Sequence, residues 1–361
     1  MQEPGMLAGV LVVDASQLLP GPWAAQVLGD MGAEVVKVEP PGGDGARSIR
    51  GDLFAATNRN KRSVVIDLKS DEGRTEFLDL VRGADVVIEG YRPGVVERLG
   101  IGYDDVRGVN PGIVYCSVSG YGRDRPDSLV PGHDVNYLAK SGMLSFSGHW
   151  GEEPRRPGSP MADLGSASYA AVSIVAALFD RTRSGEGCHL DVSMTDVMAS
   201  WAAARGGRRL ERTADDRSHL YPTNDTFATS DGRWIALGAV EERFWEATRH
   251  VLATVEPDLA SDRFSGLEAR LQHGDELHEL VHRAFAQHDL DTWLELFADT
   301  DAPVSPVLSL AEAAERELAT DSGLVQCLDD ERHVVFPVRR NGTVIGQLRS
   351  ASPALEDTAR G

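Results

Sequence analysis

Over its first 120 residues the chain alternates short aliphatic runs with helix-like segments, and this rhythm restricts the fold more than any other feature. Residues 9–14, 33–39, 63–68, 85–89 and 113–119 read as strands. The segment 22–31, which begins with proline, and the segment 71–83 read as helices between them. Strands separated by helices cannot pair as hairpins. They predict an α/β fold with a doubly wound, mainly parallel sheet of Rossmann-like type, covered on both faces.

The pattern then changes. A helix is predicted over 168–183, a strand over 189–192 and a helix over 195–204. Residues 206–220 are charged and rich in Gly and Arg without apolar periodicity, as in a linker. Residues 221–239 alternate like two strands around Ser230-Asp231-Gly232, and amphipathic helices follow at 242–255, 275–287 and 291–297. The expected organisation is a large domain over 1–205 completed by 325–361. A smaller α+β domain covers 221–305, with a return linker at 306–324. Residues 333–348 alternate around Asn341-Gly342, a second hairpin.

The chain has 361 residues, enough for two cores, and its net charge of −20 opposes nucleic-acid or membrane-surface binding. No apolar run reaches the roughly 20 residues that a membrane span needs. The N-terminus lacks a basic residue ahead of its apolar run, so that run reads as a buried strand rather than a signal peptide. Cys116, Cys188 and Cys327 are too scattered for a disulfide framework, which fits a reducing, cytoplasmic location. The ten histidines form no ligand motif, so no metal is expected.

A strand, a helix and a second strand ending in Glu39 imitate a dinucleotide site. However, Leu19-Pro20-Gly21-Pro22 stands where G-x-G-x-x-G would be needed, and no P-loop is present. NAD and nucleoside triphosphates are therefore not expected. Basic residues nevertheless cluster in this acidic chain, at Arg47, Arg50, Arg59, Lys61, Arg62 and Lys69, then at Arg92 and Arg98. Such density points to a phosphorylated ligand.

Two proton-transfer groups stand thirty positions apart beside glycine: His133 in Gly132-His133-Asp134-Val135-Asn136-Tyr137, and Asp163 in Pro160-Met161-Ala162-Asp163-Leu164-Gly165. An imidazole and a carboxyl on opposite faces of one carbon could remove a hydrogen from one side and return it on the other. Asp163 also precedes a helical pattern, where aspartate is a favoured cap.

These segments together resemble the family III CoA-transferase superfamily (CaiB/BaiF type). The matching motifs are Leu19-Pro20-Gly21-Pro22, Asn58-Arg59-Asn60-Lys61-Arg62-Ser63 with Asp67-Leu68-Lys69, and Glu89-Gly90-Tyr91-Arg92-Pro93-Gly94. Glu97-Arg98-Leu99-Gly100, Val118-Ser119-Gly120-Tyr121-Gly122 and Asp301-Ala302-Pro303-Val304 extend the likeness nearly end to end. The resemblance implies an interlocked homodimer, an acyl-CoA thioester as substrate, and no cofactor beyond the CoA moiety. It also implies CoA contacts at Gln17, Arg47, Arg59, Leu68, Lys69, Arg92 and Arg98.

Within the superfamily, Asp163 falls on the catalytic aspartate. His133 matches the histidine of α-methylacyl-CoA racemases, and Glu241 matches the glutamate that orients it. The leading expectation is thus a racemase or epimerase that inverts Cα of a 2-methylacyl-CoA through an enolate. The backbone N–H groups that open the helix after Asp163 would stabilise that enolate. The alternative is a CoA transferase in which Asp163 forms an acyl anhydride. Ser159-Pro160-Met161-Ala162-Asp163-Leu164-Gly165-Ser166-Ala167 lacks the N-L-x-x-D-F-G-G-G of racemases, and Gly158-x-Pro160 is closer to the transferase pattern. A third reading is a CoA-thioester binder without chemistry.

Overall fold

The structure is a computed structural model that describes residues 4–49, 52–207, 213 and 216–355. Arg50 and most of the basic stretch 206–215 lie outside the described residues. The chain divides into two units. The first comprises Met1–Met143, Pro157–Arg205 and Ala314–Gly361, and the second Leu144–Arg156 and Gly206–Ala313.

The first unit is built on β1 (Leu11–Asp14), α1 (Pro20–Asp30), β2 (Glu34–Glu39), α2 (Leu53–Thr57), β3 (Lys61–Val65), α3 (Asp71–Val81) and β4 (Val86–Glu89). It continues through α4 (Val95–Leu99), α5 (Tyr103–Val109), β5 (Val114–Ser119), α6 (Asp134–Lys140), α7 (Met161–Ser184), β6 (Cys188–Ser193) and α8 (Met194–Gly206). The six strands form one parallel sheet in the order β3-β2-β1-β4-β5-β6. This is the doubly wound order, whose direction reverses between β1 and β4. Val12, Val13, Val35, Val36, Val86, Val87 and Val114 are sealed from solvent. Continuous aliphatic strands are what a sheet covered on both faces requires.

Several boundaries shift for physical reasons. The third strand occupies Lys61–Val65 rather than 63–68, because its register pairs Val35 with Lys61 and Glu39 with Val65. Leu68 and Lys69 thus lie in a turn, where the side chain of Ser70 caps α3 by accepting the Gly73 amide at 2.9 Å. α7 begins seven residues earlier than its apolar periodicity announced and ends at Gly185, whose φ of +75° closes it in the left-handed form. This 24-residue helix contains an 18-residue window of mean hydropathy 1.5, long and apolar enough to cross a membrane by length and composition. It therefore overturns the expectation that no apolar stretch approaches that length. One of its faces, Ala162, Ala167, Ala170, Ala171, Ile174 and Leu178, is buried.

The C-terminal segment docks onto this unit. Asp30 accepts the Phe336 amide at 3.0 Å, and Asn60 donates to the Gln347 carbonyl at 2.6 Å. Arg349 donates to the carbonyls of Gly29 and Ala33 at 2.7 and 2.8 Å.

The second unit has the antiparallel sheet β7 (Asn224–Ala228), β8 (Trp234–Gly238) and β9 (Val304–Pro306). Its helices include α9 (Glu242–Leu252), α10 (Leu267–Gln272), α11 (Gly274–Phe285) and α12 (Leu290–Phe297). Trp245 and Trp293 are fully buried, each donating its indole N–H to a carbonyl, of Phe264 at 3.0 Å and of Phe285 at 2.8 Å. Residues 144–156, expected in the large domain, belong here. Arg217 holds the carbonyls of Ser145 and Ser147 at 2.8 and 2.7 Å, and Asp225 accepts the Trp150 amide at 2.9 Å. Asp225 also binds the imidazole of His149.

Candidate active site

A cleft of about 270 Å³ opens in the first unit at the carboxyl ends of the strands. Its walls come from residues 17–21 after β1, 90–93 after β4 and 118–121 at the end of β5, with Gly132, His133, Tyr137, Asp163 and Met194. Open parallel sheets bind ligands at such a position, where adjacent crossovers depart to opposite faces and leave a crevice. His133 and Asp163 both line this one cleft, as do Gln17 and Arg92.

His133 is the residue preceding the first turn of α6, and its backbone is extended there, at φ −131° and ψ 176°. The side chain of Asn136 accepts the His133 amide at 3.0 Å and closes the turn. Below it lies an aromatic floor in which Tyr121 and Tyr137 meet edge to face at 5.1 Å. The Tyr137 hydroxyl donates to the carbonyl of Gly132 at 2.7 Å, fixing the residue next to His133. A Cβ at Gly120 would lie 2.4 Å from the Tyr137 ring, and one at Gly132 2.8 Å from it. Glycine is needed at both places to let the floor form.

Asp163 sits inside the first turn of α7, not ahead of the helix, and so is not its cap. Asp134, the neighbour of His133, performs that task from another element. Its buried carboxylate accepts the Ala162 amide at 2.7 Å and the Asp163 amide at 3.4 Å. A carboxylate is favoured at this positive end of a helix. Asp163 is half-buried, and burial first, then the negative charge of Asp134, push its pKa up from the usual carboxyl range to about 7. The helix start is thereby partly committed. Leu164 donates to the Pro160 carbonyl at 3.0 Å, and the Ala162 amide is taken by Asp134. The Asp163 amide is held only loosely by Asp134, at 3.4 Å, and with the Ala162 amide taken the expectation of a row of free amides is narrowed.

Leu18, which also lines the cleft, has a left-handed backbone at φ +67°. For a residue with a Cβ that conformation costs ~1–2 kcal/mol. Gln17 hydrogen-bonds the hydroxyl of Tyr91.

The remaining predicted contacts divide by sheet edge. Gln17, Arg47, Leu68, Lys69, Arg92 and Arg98 all follow the carboxyl ends of β1, β2, β3 or β4. Arg92 and Lys69 are exposed. Arg98 donates to the Gly94 carbonyl at 2.8 Å, and Arg47 grips Glu39 through Nε at 2.8 Å and Nη2 at 2.7 Å. Arg59 differs. It precedes β3, at the other edge, and its buried guanidinium is consumed by Asp30, with Nε to Oδ1 at 3.0 Å and Nη2 to Oδ2 at 2.5 Å. A buried bidentate pair of this kind is structural, so Arg59 is withdrawn as a ligand contact. Glu241 lies in the second unit, immediately before α9, with an extended backbone at φ −71° and ψ 148°. Among the described residues, no group of three or more His, Cys, Asp or Glu side chains is placed to hold a metal ion.

A six-stranded doubly wound sheet with a histidine and an aspartate in its switch-point crevice is the architecture at hand. The sequence matches CoA-transferase family III over residues 7–358, and the chain belongs to that family. It is 35% identical over 331 residues to alpha-methylacyl-CoA racemase of Homo sapiens, covering 88% of this chain and 81% of that protein. It is 33% identical over 376 residues to acetyl-CoA:oxalate CoA-transferase of Acetobacter aceti, covering 98% and 94%. The crystal structure of a CAIB/BAIF family protein from Brucella suis matches with a TM-score of 0.86 at 28% identity, over 98% of this chain and 97% of that one.

Proposed function

We propose that this protein is an α-methylacyl-CoA racemase or epimerase in which His133 and Asp163 exchange the α-proton of a 2-methylacyl-CoA. The observation that carries the reading is the shared cleft, in which the Asp163 carboxyl titrates at about 7. Near neutrality such a group is divided between its acid and base forms, as a two-way proton carrier must be. One group removes the proton while the other delivers one to the opposite face, with roles exchanged for the other enantiomer. The positive end of α7 and the Asp163 amide support the enolate oxygen. Gln17 and Arg92 at the cleft, with Arg47, Leu68, Lys69 and Arg98 along the same sheet edge, would hold the CoA portion. Self-association as an interlocked homodimer and the orienting role of Glu241 are the parts of this reading that rest on the family resemblance.

The test is solvent deuterium incorporation at Cα of a 2-methylacyl-CoA in heavy water. His133→Ala should lower it by about 10²–10⁴-fold, the usual contribution of one acid–base group. The second reading, a CoA transferase, draws on the Ser159–Ala167 segment and on the similarity to the Acetobacter aceti enzyme. It predicts no deuterium, transfer of CoA to an added carboxylate, and an acyl group on Asp163 that hydroxylamine traps. An enzyme that binds CoA tightly and does neither is a thioester binder.

A further inference from the structure

Bonded to the segment that lines the cleft is a cluster of four charges that the proton-transfer scheme does not use. Asp14, Lys37, Asp44 and Lys61 are buried, with side chains wholly removed from solvent. Lys37 pairs with Asp44 at 2.9 Å and with Asp14 at 3.6 Å, and Lys61 pairs with Asp14 at 2.8 Å. Two cations and two anions cancel, so the group is neutral as a whole, and each charge is matched.

Lys61 also donates to the Asn58 side chain at 2.8 Å and Asp44 accepts the Ala46 amide at 2.9 Å, and the cluster's other bonds converge on one segment of backbone. Asp14 accepts the Ser16 amide at 3.1 Å and also its hydroxyl, while Lys37 donates to the Ser16 carbonyl. Asp44 accepts the Leu18 amide at 3.1 Å, and Lys61 donates to the Pro22 carbonyl at 2.8 Å. The segment tied at 16, 18 and 22 contains residues 17–21, which line the same cleft as His133 and Asp163, and it includes the left-handed Leu18. A second chain of contacts reaches outward. Glu39 accepts the Asp44 amide at 2.8 Å and holds Arg47.

We propose that Asp44, backed by Lys37, Asp14 and Lys61, is a positioning residue that holds Leu18 left-handed and so fixes the 17–19 wall of the cleft against the reacting acyl group. Released from its bond to Asp44, Leu18 would relax to negative φ, carrying Gln17 and Leu19 with it. The inference rests on the reading that this cleft is where acyl-CoA reacts, and it does not depend on which reaction occurs there.

A double-mutant cycle between Asp44→Ala and Leu18→Gly tests it, using the full chain and a 2-methylacyl-CoA. Deuterium exchange and CoA transfer to an added carboxylate are both measured. Glycine adopts positive φ without penalty, so the Asp44 tether matters little once Leu18 is glycine. Asp44→Ala should cost about 30-fold in the native background and less than about threefold in the Leu18→Gly background. The native-background loss should fall on kcat rather than KM. Asp44→Asn keeps an oxygen for the Leu18 amide and should retain most activity, and if the alanine variant does not fold, a loss of about 30-fold in Asp44→Asn overturns the inference. Equal costs in the two backgrounds, a loss confined to KM, or a parent chain that catalyses neither reaction would overturn the inference. Transfer without deuterium exchange overturns only the racemase reading, because the cycle is then read on transfer.

Discussion

Asp134 accepts the backbone amide of Asp163 at 3.4 Å, so the residue beside His133 is tied to the helix turn that carries Asp163. The same carboxylate holds the Ala162 amide at 2.7 Å and contributes to the raised pKa of Asp163. One side chain thus ties the start of α6 to the start of α7 and adds to the burial that raises the Asp163 pKa.

The first prediction concerns the pH profile. The direction in which Asp163 supplies the proton should be fully expressed below pH about 7 and fall tenfold per unit above it, and the opposite direction should rise through the same point. Asp134→Asn removes the second cause of the shift while keeping an oxygen for the two amides. The Asp163 limb should then move to lower pH yet stay above the ordinary carboxyl range, because burial is the larger cause. Rates of deuterium exchange from each enantiomer across pH 5–9 check this.

Stability should carry the same signature. The carboxyl of Asp163 titrates near 7 in the folded chain, against about 3.9 for an ordinary aspartate. The folded state therefore binds more protons between these values, and stability is lost as pH rises through that window. Asp163→Asn should match the parent near pH 4 and exceed its Tm by about 2–4 °C at pH 8, the equivalent of about 1 kcal/mol for a unit of this size. Scanning calorimetry at the two pH values decides it.

The aromatic floor makes a steric prediction. Gly120→Ala places a methyl 2.4 Å from the Tyr137 ring. Either the ring or the backbone must yield, at about 1–3 kcal/mol. Exchange should fall further than stability, since the Tyr137 hydroxyl holds Gly132 next to His133. Tyr137→Phe, which loses the hydroxyl alone, should leave Tm nearly unchanged and lower the exchange rate.

Removing one member of the buried charge cluster leaves its partners uncompensated. Asp14 is drawn down to about 2, burial working against this and the charges of Lys37 and Lys61 outweighing it. Lys61→Met should therefore cost about 3–5 kcal/mol in denaturant unfolding. The charge-keeping Lys61→Arg should cost less, although it is too large to be free of penalty.

In the second unit, Asp225 is pulled well below the carboxylate range. Burial opposes this, and hydrogen bonds from His278, the Trp150 amide and His149 overcome it. Asp225→Ala should free residues 144–156 and speed cleavage after Glu152 or Glu153 by a glutamate-specific protease by roughly tenfold, the equivalent of about 1.4 kcal/mol. Unchanged proteolysis would show that Arg217, Asp275 and His219, which bond Ser145 and Ser147, Trp150 and Phe146, secure the segment without Asp225.

Much of this was legible in the chain itself. The alternation of valine-rich runs with helices determined the parallel sheet, because strands covered on both faces have no other way to bury themselves. The motifs around His133 and Asp163, and the loops that follow β1 and β4, determined the family and the cleft residues. Tertiary structure decided the rest. Burial and the approach of Asp134 set the acidity of Asp163, and neither is encoded at position 163. Arg59 reads like its basic neighbours until Asp30 is brought beside it. Residues 144–156 have no strong periodicity, and long-range bonds to Asp225 and Arg217 assign them to the second unit. Local sequence fixes period and turn chemistry, whereas charge, solvation and strain depend on which distant groups the fold places in contact.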